Sequence, residues 1–204
     1  MKISCSPNPE LKSVMTIFCD GSPWRDVHTT VFGRRPVLPQ GCESLIEFSE
    51  QFSIIECRQA KNYAIRRLSL QGMLSTALAR ALKDRLVSEK AIREAICELT
   101  DLGFINDEEW AASFVRSQNN KKVGPRAIAQ KLAHKGIRGE RLEQALEKSW
   151  DPEEQKMLIK SLLKSKYAKR NLSDFKEKQK VVASLIRRGF DMNIIFNCLN
   201  YSEI

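Results

Sequence analysis

The chain has 204 residues, 42% of them hydrophobic, which is enough for a packed core and too much for a disordered chain. Its formal charge of +9 is uneven: residues 1–56 carry five Lys or Arg against seven Asp or Glu, and residues 57–204 carry 29 against 18, a split of −2 and +11. A basic excess confined to one region fits contact with a polyanion such as nucleic acid, the plainer alternative being a solvated, Lys-rich helical surface.

Residues 1 to about 50 are rich in Pro, Gly and Ser and hold three short runs of β character, at Val14–Cys19, 27–32 and 45–48. Asp20-Gly21 predicts a tight turn after the first run. Strands this short need a helix or a partner sheet against which to pack, so a small antiparallel extension of two or three strands is expected here. From residue 54 the periodicity becomes helical. Three helices are predicted near 57–69, 72–85 and 88–102, three more near 106–119, 125–135 and 139–149, and a last set near 152–168, 174–188 and 191–200. Residues 167–173 read as a basic, polar connection. Asn106 with Glu109 and Asp151 with Glu154 have capping-box spacing, and Pro152 stands at a first helical position. Gly103, Gly136 and Gly189 each precede a large apolar residue, the pattern of a left-handed helix ending closed by a hydrophobic contact.

The three sets are one repeat. Leu82, Leu132 and Leu185 align; five residues on stand Val87, Ile137 and Phe190; ten on, Ile92, Leu142 and Ile195; fourteen on, Ile96, Leu146 and Leu199. Twelve apolar residues in register predict a mainly α protein, a tandem array of three three-helix repeats behind a small strand-containing N-terminal extension. The boundaries expected are 1–50 for the extension and 51–103, 104–150 and 151–204 for the repeats. Leu86 stands where the second and third repeats have Gly136 and Gly189, so the first turn is expected either to close differently or to continue as helix.

Little points to catalysis. His28 and His134 lie far apart without a nucleophile or carboxylate beside them, and no Gly-rich loop carries the Gly-Lys-Ser/Thr ending of a nucleotide cradle. Asp107, Glu108 and Glu109 complement a helix start. The six cysteines form no CxxC pair and have no His cluster, which argues against a metal site; we expect reduced thiols, with Cys97 and Cys198 on apolar helix faces. Neither a cofactor nor an enzymatic activity is expected. The absence of a long apolar run and of a signal-peptide pattern leads us to expect a cytoplasmic protein, monomeric and without a membrane partner.

The basic residues carry more. Lys121, Lys122 and Arg126 flank Gly124-Pro125, where the amides of a helix start add to side-chain charge in a manner suited to phosphate. Lys131 and Lys135 follow at helical spacing. Arg85, Lys135 and Arg188 occupy one repeat column, with Arg187 beside the last, and Lys160, Lys164, Lys166, Lys169 and Arg170 add charge in the third repeat. Phe104, Trp110, Phe114 and Phe190 fall at positions suited to core packing, which leaves few rings for base stacking.

The segment EEWAASFVRSQNNKKVGPRAIAQKLAHKGI, after AICELTDLGFIND, resembles the RecX family of bacterial recombination regulators. The elements that carry the likeness are Glu109, Trp110, Ala111, Val115, Arg116, Gly124, Pro125, Arg126, Lys135, Gly136 and Ile137, with Arg187, Arg188, Gly189 and Phe190 in the closing repeat. It spans about residues 57–200, and residues 1 to about 50 have no strong match. The resemblance implies a regulator that binds the RecA recombinase filament on single-stranded DNA and restrains its ATP hydrolysis, strand exchange and SOS co-protease activity. The candidate RecA- or DNA-contacting set is Arg85, Arg116, Lys121, Lys122, Arg126, Lys131, Lys135, Arg187 and Arg188. The alternative is an independent helix-turn-helix DNA-binding protein reading DNA through residues 126–135, which offer Gln130 among apolar side chains.

Overall fold

The computed structural model describes residues 1–200, apart from the side chains of Lys148 and Asn200. Residues 201–204, the end of the third predicted repeat, lie outside the described residues. Two compact units divide the chain, Met1–Asp107 and Glu108–Ile204.

The first unit opens with a three-stranded antiparallel sheet in the order β1 (Ile3–Pro7), β2 (Val14–Cys19), β3 (Ser22–His28). The predicted β2 is found as expected, with Asp20 and Gly21 both at positive φ in its turn. A four-residue helix, α1 (Thr29–Phe32), takes the last four residues of the 27–32 run. The 45–48 run is also helical rather than extended: it begins α2 (Leu45–Leu70), a helix that continues through the whole first predicted helix. The overlooked signal is Ser44 with Glu47. Ser44 Oγ accepts from Glu47 N at 3.2 Å and the Glu47 carboxylate accepts from Glu43 N at 3.0 Å, a helix start that outweighs the β character of Leu45 and Ile46. β1 escaped notice because Ile-Ser-Cys-Ser-Pro has only two apolar side chains, both half-buried.

Helix α2 buries Phe48, Phe52, Glu56, Ala60, Tyr63 and Ala64, one face at helical spacing. Its first half packs on Ile17 and Val27 of the sheet, with Trp24 edge-on to Phe48 and Phe52 at centroid distances of 4.9 and 5.1 Å. Its second half packs with α3 (Ser75–Lys83) and α4 (Glu89–Asp101), through Leu78, Leu82, Ala91 and Ala95. The expected boundary at residue 50 is therefore not a structural one. The sheet and the first repeat share one continuous core, because α2 serves both.

The second unit holds α5 (Asp107–Asn120), α6 (Pro125–His134), α7 (Glu140–Trp150), α8 (Pro152–Lys164), α9 (Phe175–Arg187) and α10 (Met192–Asn200). These match the predicted helices closely, except that α8 stops at Lys164. The 167–173 connection is not merely polar: Tyr167 is buried and its hydroxyl lies 2.8 Å from Ser184 Oγ. All twelve register positions are buried or half-buried, with Leu82, Leu132 and Leu185 fully enclosed.

The turn after α3 corrects the expectation for Leu86. Leu86 adopts φ +61, the left-handed conformation that Gly136 (φ +94) and Gly189 (φ +90) take in the other repeats. Val87 N donates to Leu82 O at 3.2 Å as Ile137 N does to Leu132 O at 3.0 Å and Phe190 N to Leu185 O at 3.3 Å. The apolar column forces the same closure even without glycine, at a backbone cost of about 1 kcal/mol.

Candidate functional site

Most of the candidate basic residues have internal partners, each unit considered by itself. In the first unit, Arg85 is half-buried; its Nη1 donates to Ala81 O at 2.7 Å and its guanidinium lies 5.0 Å from the centre of the Tyr63 ring. Its charge and, first, burial hold the imidazole of His28 below the ordinary histidine range.

In the second unit the Gly124-Pro125 corner is covered by the third repeat. Gly124 N donates to Arg188 O at 2.8 Å and Arg126 N to Gly189 O at 3.1 Å, so the amides expected to await a phosphate at the start of α6 are satisfied by backbone carbonyls. Side chains reinforce the joint. Arg126 pairs with Asp191 at 2.6 Å, Arg188 Nη1 donates to Lys122 O at 3.1 Å, and Lys122 Nζ donates to Ser165 Oγ at 3.3 Å. The Gly-Pro-Arg motif thus holds two repeats together.

The remaining members divide in the same way. Arg116 pairs with Glu109 at 2.8 Å, and Lys131 Nζ donates to the buried Gln118 at 2.7 Å. Lys135 Nζ lies 5.4 and 5.7 Å from the ring centres of Trp110 and Phe114, which stack at 5.3 Å. Trp110 and Phe114 are half-buried rather than core, and Phe104 is exposed; of the four aromatics expected in the core, Phe190 is buried. Lys121 and Arg187 are exposed, as are Lys160, Lys164, Lys166, Lys169 and Arg170. The column of Arg85, Lys135 and Arg188 is consequently part scaffold, with Arg85 and Arg188 donating to backbone carbonyls.

Polar residues that the sequence did not single out organise both units. Buried Glu56 on α2 accepts from Ser88 N at 2.8 Å and Ser88 Oγ at 2.7 Å, where Ser88 caps α4, and pairs with Arg25 at 2.6 Å. In the second unit, buried Gln155 on α8 accepts from Asp191 N at 3.2 Å, and Asp191 accepts from Asn193 N at the start of α10. The same device recurs, a buried acceptor on the first helix of a repeat bound to the cap of the third. A lone Glu or Gln inside an amphipathic helix gives no such signal; only the repeat alignment of Ser88 with Asp191 hints at it.

No disulfide joins the six cysteines. Cys198 is buried as expected, whereas Cys97 lies exposed on α4 rather than on its apolar face. Among the described residues no cluster of His, Cys, Asp or Glu is arranged to hold a metal, and no helix is long and apolar enough to cross a membrane.

Family models for the second and third three-helix domains of RecX match residues 106–146 and 153–199. A regulatory protein RecX from Caldanaerobacter subterraneus subsp. tengcongensis is 31% identical over 156 residues, covering 74% of this chain and 77% of the relative. Among solved structures, the crystal structure of RecX from Lactobacillus salivarius is 27% identical, with a TM-score of 0.63, covering 72% of this chain and 97% of that one. A second crystal structure of a regulatory protein RecX is 24% identical, has a TM-score of 0.65 and covers 95% and 96%, so the same fold extends through the N-terminal sheet. With a helical repeat in the expected register and the Gly-Pro-Arg joint in place, the chain belongs to the RecX family of regulatory proteins.

Proposed function

We propose that this protein binds a RecA filament on single-stranded DNA and restrains its ATP hydrolysis, strand exchange and SOS co-protease activity, acting by occupancy as a cytoplasmic monomer and not as an enzyme. The observation that carries the reading is the charge: residues 57–204, the repeat region, hold 29 Lys or Arg against 18 Asp or Glu. Several of these side chains, among them Lys121, Arg187, Lys160 and Lys164, are exposed. Flexible cations on helical repeats suit phosphates and acidic protein surfaces without reading sequence. Of the nine candidate residues, Lys121 and Arg187 are the ones best placed for outside contacts; Arg85, Lys122, Arg126 and Arg188 act on the partner through the shape of the units they brace. Arg116, Lys131 and Lys135 stand between these groups.

The helix-turn-helix alternative has less support. Reading DNA would require the N-terminal end of α6 to enter a major groove, and that end is covered by the carbonyls of Arg188 and Gly189. The test is ATP hydrolysis by RecA on single-stranded DNA at fixed salt, with and without the protein, and with Lys121, Lys160, Lys164 and Arg187 changed together to Ala. Inhibition by the intact protein and its weakening in the folded variant are expected. Absence of inhibition together with tight binding to a defined duplex would refute the filament reading, and unchanged inhibition by the variant would remove these four residues from the contact.

A further inference from the structure

The first unit contains a pocket of about 440 Å³ that the filament reading does not use. One wall is Thr29 and Thr30 of α1, continuing to Gly33; the other is Gln59, Tyr63, Arg66 and Arg67 of α2. The four α2 residues stand at spacings of four, seven and eight, one face of the helix. No carboxylate lines the pocket. Arg34 and Arg35, both exposed, follow Gly33 directly in the chain. Positive charge therefore gathers here from two stretches of the chain, Arg66 and Arg67 of α2 and Arg34 and Arg35 after α1.

Two further observations point to a ligand. Tyr63 is 6% exposed, yet its hydroxyl has no hydrogen-bond partner among the described residues. A buried phenol left unpaired costs about 1–3 kcal/mol, and a native fold seldom carries such a cost without use for the group. Arg66 is held only loosely, through a 3.4 Å bond from Nη2 to Thr30 O, so its fork can turn to an incoming anion. The guanidinium of Arg85, 5.0 Å from the centre of the Tyr63 ring, adds positive charge beside this residue.

We infer that this pocket is a binding site for a phosphate group, carried either by a free nucleotide or by a nucleic-acid backbone. Arg66 and Arg67 supply paired N–H donors to the phosphate oxygens and Thr29 a hydroxyl, while the Tyr63 O–H, enclosed and unpaired, joins them by a shift of its side chain toward the ligand. Thr30 contributes less, since its hydroxyl is already 2.9 Å from His28 Nδ1.

Calorimetric titration of the full chain, without RecA, with inorganic pyrophosphate, with ATP and with a single-stranded oligothymidylate tests the site independently of the filament reading. The variants are Arg66→Ala with Arg67→Ala, Tyr63→Phe, and, as a control, Lys90→Ala, an exposed residue of α4 that neither lines the pocket nor belongs to the proposed filament contact. Folding is checked by circular dichroism; Tyr63→Phe removes a hydroxyl without a hydrogen-bond partner among the described residues, and Arg66 and Arg67 are exposed, so all should fold. Loss of the arginine pair should weaken binding about tenfold or more and Tyr63→Phe about threefold, with the control unchanged. Such losses with pyrophosphate or ATP identify a free phosphorylated ligand, and losses with the oligonucleotide alone identify the nucleic-acid backbone. No binding of any probe, or binding that both pocket variants leave unchanged, overturns the proposal.

Discussion

Gly124 and Gly189 meet backbone to backbone: a Cβ on Gly124 would stand 2.6 Å from Gly189 O, and one on Gly189 would stand 2.6 Å from the Cβ of Ala127. The contact lets α6 seat its first amides on the turn between α9 and α10. Gly189 meets a second demand at the same point, since its φ of +90 is strained for any other residue. Gly189→Ala should therefore destabilise the protein by about 3 kcal/mol, and Gly124→Ala by a similar amount. Because both act on one contact, the double variant should lose less than the sum. Urea denaturation checks this; losses below about 0.5 kcal/mol in both single variants would mean that the joint opens at little cost.

Leu86 offers the opposite experiment. Its side chain is 39% exposed and its backbone is left-handed, so glycine would relieve strain while removing little packing. The gain of about 1 kcal/mol, reduced by the greater freedom of glycine in the unfolded chain, should be about 0.5 kcal/mol or less. A rise in thermal midpoint is expected, and a clear fall would show that the Leu86 side chain contributes more than its exposure implies.

Glu56 is a buried carboxylate with three partners, Arg25 and both polar groups of Ser88. Glu56→Ala strands all three and should cost about 3–5 kcal/mol. Glu56→Gln keeps an acceptor of the kind that Gln155 provides in the second unit and should cost less, with Arg25 left unpaired. Equal losses in the two variants, by chemical denaturation, would argue against the cap as the stabilising contact.

His28 connects stability to pH. Its Nδ1 accepts from Thr30 N at 3.1 Å, and burial, followed by the charge of Arg85, lowers its affinity for a proton in the folded chain. Between the folded value and the ordinary 6.5 the unfolded chain binds more protons, so stability rises with pH there. The contribution of His28 is present above about pH 6.5 and lost as pH falls through the folded value. In His28→Asn, which keeps a capping acceptor without a proton to gain, stability should change less between about pH 7 and pH 5.5. An unchanged pH slope would show that other groups set it.

The sequence by itself determined the repeat. Leu82, Leu132 and Leu185 with their followers fixed the helices, since burial at helical spacing is a local property that a single chain displays. It also determined the left-handed endings at Gly136 and Gly189 and the turn at Asp20-Gly21, because these depend on backbone freedom at one or two residues. Tertiary structure decided what lies across from each element. That Leu45 and Ile46 enter a helix was legible in Ser44 and Glu47, but that the helix would carry the sheet and the repeat on one core was not. The left-handed Leu86 is imposed by the packing of Val87 against its repeat, a nonlocal demand that overrides local preference. The largest change concerns the candidate site. Charge and motif at Lys122, Gly124 and Arg126 read as an open anion site, and the third repeat fills it with the carbonyls of Arg188 and Gly189. Conversely, the pocket of Tyr63, Arg66 and Arg67 was invisible in sequence, because its other wall comes from α1, more than 25 residues earlier in the chain. A residue's charge can be read along the chain; whether that charge is available depends on which backbone the fold sets beside it.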